Sequence, residues 1–151
     1  EPRASAPTAR LRAIRELTDA GVPVGAMIAP IIPGLNDHEA PAILDAVADA
    51  GALTAFYVVL RLPLGLKGLF EDWLTRHFPE RVDKVLGRIR ATRGGELNDS
   101  RFGNRMRGEG LWADAFSKLF RVSRAKAGLA DHLPPMSSAH FRKPGSQPTL
   151  F

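Results

Sequence analysis

Three arginines of one short segment, Arg101, Arg105 and Arg107, alternate with Phe102, Asn104 and Met106. Guanidiniums spaced this way beside an aromatic ring suit phosphate contact and base stacking, which makes the segment a candidate nucleic-acid contact. The same residues would equally serve as clamps onto acidic groups such as Glu96 or Asp99. Arg61 is a second guanidinium of interest, because it directly follows the apolar run Phe56–Leu60. Burying it is costly unless an anion answers it: a cofactor carboxylate, a substrate phosphate or a structural carboxylate. Other constellations carry no chemistry. His38-Glu39 opens like H-E-x-x-H, but Ala42 stands at the second histidine position. The four histidines lie far apart, and no cysteine is present, so no metal ligand set, disulfide or thiol nucleophile is expected. Gly108-x-Gly110-x-x-Ala113 imitates a dinucleotide fingerprint without the strand that must precede it.

The charge is uneven. Residues 1–60 carry four Lys/Arg against seven Asp/Glu, and residues 61–151 seventeen against nine, which gives −3 and +8 of the net +5. A basic second half points to phosphate or nucleic acid as a partner, against the plainer reading of a solvated basic surface. No apolar run approaches the ~20 residues of a membrane span, and no signal-peptide core opens the chain. A cytoplasmic location and no membrane partner are therefore expected, consistent with the lack of cysteine.

The elements that must position these residues follow a β/α order. Pro7-Thr8 opens a helix with Leu11, Ile14, Leu17 and Thr18 on one face, and Gly21 is placed to stop it. The spacing predicts a strand over Val24–Ala29, apolar on both faces, ended by Pro30 and a Pro33-Gly34 turn. Asn36 or Asp37 is then expected to cap a helix that buries Ile43, Leu44, Val47 and Ala48 and stops at Gly51. A second strand is predicted over Thr54–Leu60, completing a β-α-β unit with functional loops at the strands' carboxyl ends. Three further helical patterns follow: Leu66/Leu69/Phe70/Trp73/Leu74, Val82/Val85/Leu86/Ile89, and Trp112/Ala115/Phe116/Leu119/Phe120. The Phe70/Trp73 stripe reads as core, Glu96–Gly110 as a polar loop, and everything from Gly128 as a loosely held tail rich in Pro, Ser and Gly. Two parallel strands are too few for a stable sheet. Together with the start at Glu1, already leading into a helix, this reads as the C-terminal fragment of a longer β/α protein.

The order of Glu1-Pro2-Arg3, Ala20-Gly21-Val22-Pro23, Ala29-Pro30-Ile31-Ile32-Pro33-Gly34-Leu35-Asn36-Asp37 and Tyr57-Val58-Val59-Leu60-Arg61-Leu62-Pro63 resembles radical S-adenosylmethionine proteins, in particular the spore-photoproduct-lyase-like group often labelled DNA repair photolyase. The later stretch Asn98–Gly103 with Arg105–Gly110 resembles the C-terminal extension of one bacterial subgroup. The resemblance implies an α/β fold: the C-terminal part of a partial (β/α) TIM-type radical SAM barrel, with a helical extension and a flexible tail. Residues 1–79 would be barrel, 80–127 extension and 128–151 tail. It further implies S-adenosylmethionine and a [4Fe–4S] cluster as cofactors, the cluster cleaving the cofactor to a 5′-deoxyadenosyl radical. The cluster cysteines would lie in a missing N-terminal barrel half, which becomes a partner, and this chain alone would be inactive. Pro30, Ile31, Ile32, Pro33, Arg61 and Leu62 correspond to strand ends that hold adenine and ribose. Alternatives remain open: a DNA- or clamp-associated binding module without catalysis, or an unrelated β/α-barrel enzyme.

The terminus Gln147-Pro148-Thr149-Leu150-Phe151 resembles the peptide with which bacterial DNA-repair proteins bind the sliding clamp. Gln147, Leu150 and Phe151 are its expected contacts, two apolar anchors and a hydrogen-bonding amide on a flexible tether. Pro148 stands where an aliphatic residue is usual.

Overall fold

The structure, a computed structural model, describes residues 4–139 and 141. Its elements are α1 Pro7–Asp19, β1 Gly25–Ile31, α2 Ala40–Asp49, β2 Thr54–Val59, α3 Leu66–His77, α4 Val82–Ala91, α5 Asn104–Arg107 and α6 Leu111–Lys126. The chain is mixed α/β, with a small two-stranded parallel sheet. No helix among the described residues is long and apolar enough to cross a membrane.

The glycine stops act as local sequence implies. Gly21 and Gly51 hold φ at 78° and 97°, left-handed values that glycine adopts without a Cβ clash. The chain then folds back so that Val22 N–H donates to Leu17 O and Ala52 N–H to Val47 O, each at 3.0 Å. Carbonyls left over at both helix ends are satisfied in this way. Between the two helices, β1 pairs with β2 through Ala26 opposite Ala55 and Ile28 opposite Tyr57. The register slips after Ile28 and resumes with Ile31 opposite Val59. Pro30 sits in that slip, where its missing N–H costs no ladder bond, so β1 runs on to Ile31 rather than ending at Ala29.

The sheet is dressed on one face. Ala26, Ile28 and Ile31 with Ala55, Tyr57 and Val59 pack under Leu44 and Val47 of α2 and Phe116 and Phe120 of α6. On the other face Met27 is 60 % exposed, Ala29 is exposed, and Phe56 and Val58 are half-buried. Leu133 reaches one corner, 3.3 Å from where a Cβ on Gly25 would stand. Cover on both faces, expected from the continuous apolar strands, is therefore present on one only among the described residues. The edges differ too. The outer edge of β2 is occupied at its start, where Ala130 N–H donates to Leu53 O at 2.8 Å and Thr54 Oγ1 donates to Ala130 O at 2.6 Å. With Leu129 buried as well, the chain is tied to the sheet beyond Gly128 instead of loosening there. The edge of β1 pairs with nothing except β2 among the described residues.

A second core closes the carboxyl end of the strands. Leu60, Leu62, Ile32 and Leu35 meet Phe70 and Leu74 of α3 and Val85, Leu86 and Ile89 of α4. Packing thus crosses the point near residue 80 where the sequence changes character: α3 packs on α4, and α6 returns to α2. Trp73 is less buried than its stripe implies. It is 37 % exposed and leans on Phe70, His77 and Phe78.

Candidate functional site

The loops leaving β1 and β2 lie at the same end of the sheet, the end where parallel β/α folds place their ligands. The first loop is held together by its own polar side chains. Asn36 Oδ1 accepts from Ile32 N–H at 2.7 Å while its Nδ2 donates to Pro30 O at 3.1 Å. Asp37 Oδ2 accepts from Gly34 N–H at 3.0 Å, Trp112 Nε1–H at 3.1 Å and Arg88 Nη1 at 3.5 Å. Neither residue caps α2 with its side chain, contrary to the sequence expectation. The helix begins later, at Ala40, and Pro41 removes one of the first-turn N–H groups that a cap would serve. Both side chains answer loop amides instead.

The expected cofactor wall divides by burial. Ile31 and Leu62 each belong to one of the two cores, and Pro33 is fully buried. Pro30 is exposed, and Ile32 and Arg61 are half-buried, so these three have surface to offer. Backbone groups are less free than a proline-rich strand end implies. Ile31 O accepts from Leu60 N–H at 2.8 Å, Ile32 O from Leu35 N–H at 3.0 Å, and Leu62 N–H donates to Asn98 Oδ1 at 3.3 Å.

Arg61 makes no ion pair among the described residues, and its buried Nε has no hydrogen-bond partner. Its neighbour Arg93, only 2 % exposed, holds the end of β2: Nη2 donates to Val59 O at 3.3 Å and Leu60 O at 2.8 Å, and Nη1 to Asn104 O at 2.8 Å. Burial lowers the Arg93 pKa; Asp99 opposes that shift and the charge on Arg61 adds to it. Sequence reasoning missed Arg93. Nothing in the run Arg90-Ala91-Thr92-Arg93-Gly94 separates it from a solvated arginine, because two of its three partner carbonyls, Val59 O and Leu60 O, lie more than 30 residues away.

The basic segment is answered largely by its own chain. Arg101 donates to Asp99 from Nε at 3.0 Å and Nη2 at 2.7 Å, and to Glu109 at 2.8 Å. These hydrogen bonds are the main reason the buried Asp99 carboxyl is held down at about 2. Arg105 lies 5.2 Å above the Phe102 ring. Arg107 lies 4.7 Å above Tyr57, itself packed on Phe116 and Phe120. Such cation–π contacts place two arginines on aromatic faces without neutralising them. Gln147, Leu150 and Phe151 lie outside the described residues. Compared with known proteins, the chain matches no family model, no curated protein and no solved structure.

Proposed function

We propose that this chain forms the last strands of a partial (β/α) barrel of the radical S-adenosylmethionine type and contributes one wall of its cofactor site. The observation that carries the reading is the half-dressed sheet. Helices cover the outer face, while Met27, Ala29, Phe56 and Val58 present an apolar face that is only partly covered among the described residues, with Leu133 at one corner. In a (β/α) barrel that second face is the interior, covered by the other strands. With β2 blocked on its outer edge, further strands would join at β1.

Pro30, Ile32 and Arg61 fit the cofactor in chemistry. The first two offer flat apolar surface at a strand end, and the half-buried Arg61 guanidinium, without an ion pair among the described residues, leaves charge for a carboxylate. S-adenosylmethionine, with its cluster, supplies the radical chemistry when bound; cysteines of another segment would hold the cluster, because this chain has none. A DNA-directed activity would draw on Arg105 and Arg107 more than on Arg101, which is committed to Asp99 and Glu109.

The test begins with the gene that encodes this chain. A C-x-x-x-C-x-x-C loop is expected about 100–200 residues before Glu1, given the ~250-residue scale of barrel domains. The full-length protein, purified without oxygen, should then release 5′-deoxyadenosine. Arg61→Gln should raise the KM for S-adenosylmethionine about tenfold while leaving cluster absorbance unchanged. A gene without the cysteine loop, or a full-length protein that leaves the cofactor intact, overturns the reading.

A further inference from the structure

A cleft of about 620 Å³ opens between the loop after β1, helix α4 and helix α6, on the side of the molecule away from the bare sheet face. One wall is basic. Arg81, Lys84 and Arg88 stand at positions i, i+3 and i+7 along α4 and its leading turn, a spacing that puts them on one side of a helix. Lys84 has no ion pair among the described residues, and Arg81 meets only the exposed Glu80. The opposite wall is apolar: Trp112, Ala115, Phe116 and Leu119, again at helical spacing, with Leu119 44 % exposed. No carboxylate of α6 lines the cleft opposite these cations. The one acidic group in it, Asp37, already accepts from three donors.

The apolar wall is preset. Trp112 is stacked on Phe116, 5.1 Å between centroids and 9° between planes, and its indole N–H is fixed on Asp37. A ring locked at both ends loses little freedom when a ligand packs against it. Gly34 holds φ at 82° and sits close under Arg88, where a Cβ would come 3.1 Å from Arg88 Cδ and push on the side chain that crosses the cleft floor to Asp37. A basic wall facing an aromatic one across an open cleft suits a ligand with two unlike sides.

We propose that this cleft binds a phosphorylated small molecule carrying a planar ring, the phosphate on Arg81 and Lys84 and the ring against Trp112 and Leu119. The site is independent of the cofactor reading above, since it uses none of the same residues. Adenosine monophosphate serves as the probe, with inorganic phosphate and adenosine as its two halves. In a Trp73→Phe background, Trp112 is the only indole left to report binding by fluorescence. The monophosphate should bind the full chain with a dissociation constant below about 1 mM, and each half at least about tenfold more weakly. Amide shifts in a labelled sample should move at Gly34, Lys84 and Leu119. Arg81→Ala with Lys84→Ala, both surface positions, should weaken the monophosphate about tenfold or more while circular dichroism stays unchanged. Three results overturn the proposal: no shift at about 10 mM probe, equal affinity in the double variant, or inorganic phosphate binding as tightly as the monophosphate.

Discussion

Arg101 spends its hydrogen bonds inside the molecule, and that sets what its removal should do. Arg101→Ala leaves the buried Asp99 with only the backbone N–H of residue 101 and Glu109 with only Asn104, so the urea midpoint of the variant should fall. The acid response follows from the same pair. Asp99 has its carboxyl pulled from the usual 3.8 to about 2. A group depressed on folding stabilises the protein above its unfolded value and loses that contribution as pH falls through the folded one. Stability measured between about pH 4 and pH 2 should therefore drop in the native chain, and Asp99→Asn should flatten that drop. Arg105 and Arg107 are different, since an aromatic face leaves a cation's charge in place. If the chain binds DNA through this segment, replacing all three arginines by Ala should flatten the log affinity against log salt slope by about two rather than three. An unchanged slope would return all three to structural roles.

Among the elements, the glycine stops of the first two helices and the strand order are the most legible parts of the sequence, because the signals are local. Gly51 shows why. At φ 97° an added Cβ would lie 2.9 Å from Thr18 Cγ2, and Thr18 Oγ1 already donates to Gly51 O. Gly51→Ala should cost at least about 1 kcal/mol in chemical denaturation, from backbone strain and the loss of the α1–α2 contact. Leu44, fully buried between sheet and helices, should cost about 2–5 kcal/mol as Leu44→Ala. Helix α4 likewise buries the Val85, Leu86 and Ile89 that its periodicity picks out. Helix α6 was harder to read. Its apolar residues span more than one face, and the sheet selects Ala113, Phe116 and Phe120 while Ala115 and Leu119 are left outside. Asn36 and Asp37 mislead for a related reason. Their residue types suit both a helix cap and a loop staple, and only the distance to Ile32, Gly34 and Trp112 decides between them. No local pattern joins α4 to α6 in one cleft, because the chain between Ala91 and Leu111 is irregular apart from the short helix α5.

At the level of the whole molecule, a single layer of helices over a two-stranded sheet leaves much apolar surface in water. The isolated chain should give a helix-dominated circular dichroism spectrum and a broad thermal transition. A sharp two-state melt would count against an incomplete sheet. Met27 lies at the centre of the bare face, so Met27→Glu should reduce binding of a hydrophobic dye and leave the melting midpoint nearly unchanged. A core position would behave in the opposite way, losing stability on the same substitution.

The blocked outer edge of β2 gives the molecule a valence of one for strand pairing. Ala130 occupies the start of that edge, Arg93 its end, and α5 lies alongside it, while the other edge of β1 pairs with no strand among the described residues. A sheet with two open edges can add neighbours without limit, which is how fibrils grow; a sheet with one can only find a mate. Raising the concentration of the isolated chain should therefore drive it from monomer to dimer in sedimentation velocity and no further, with no ordered fibre by electron microscopy.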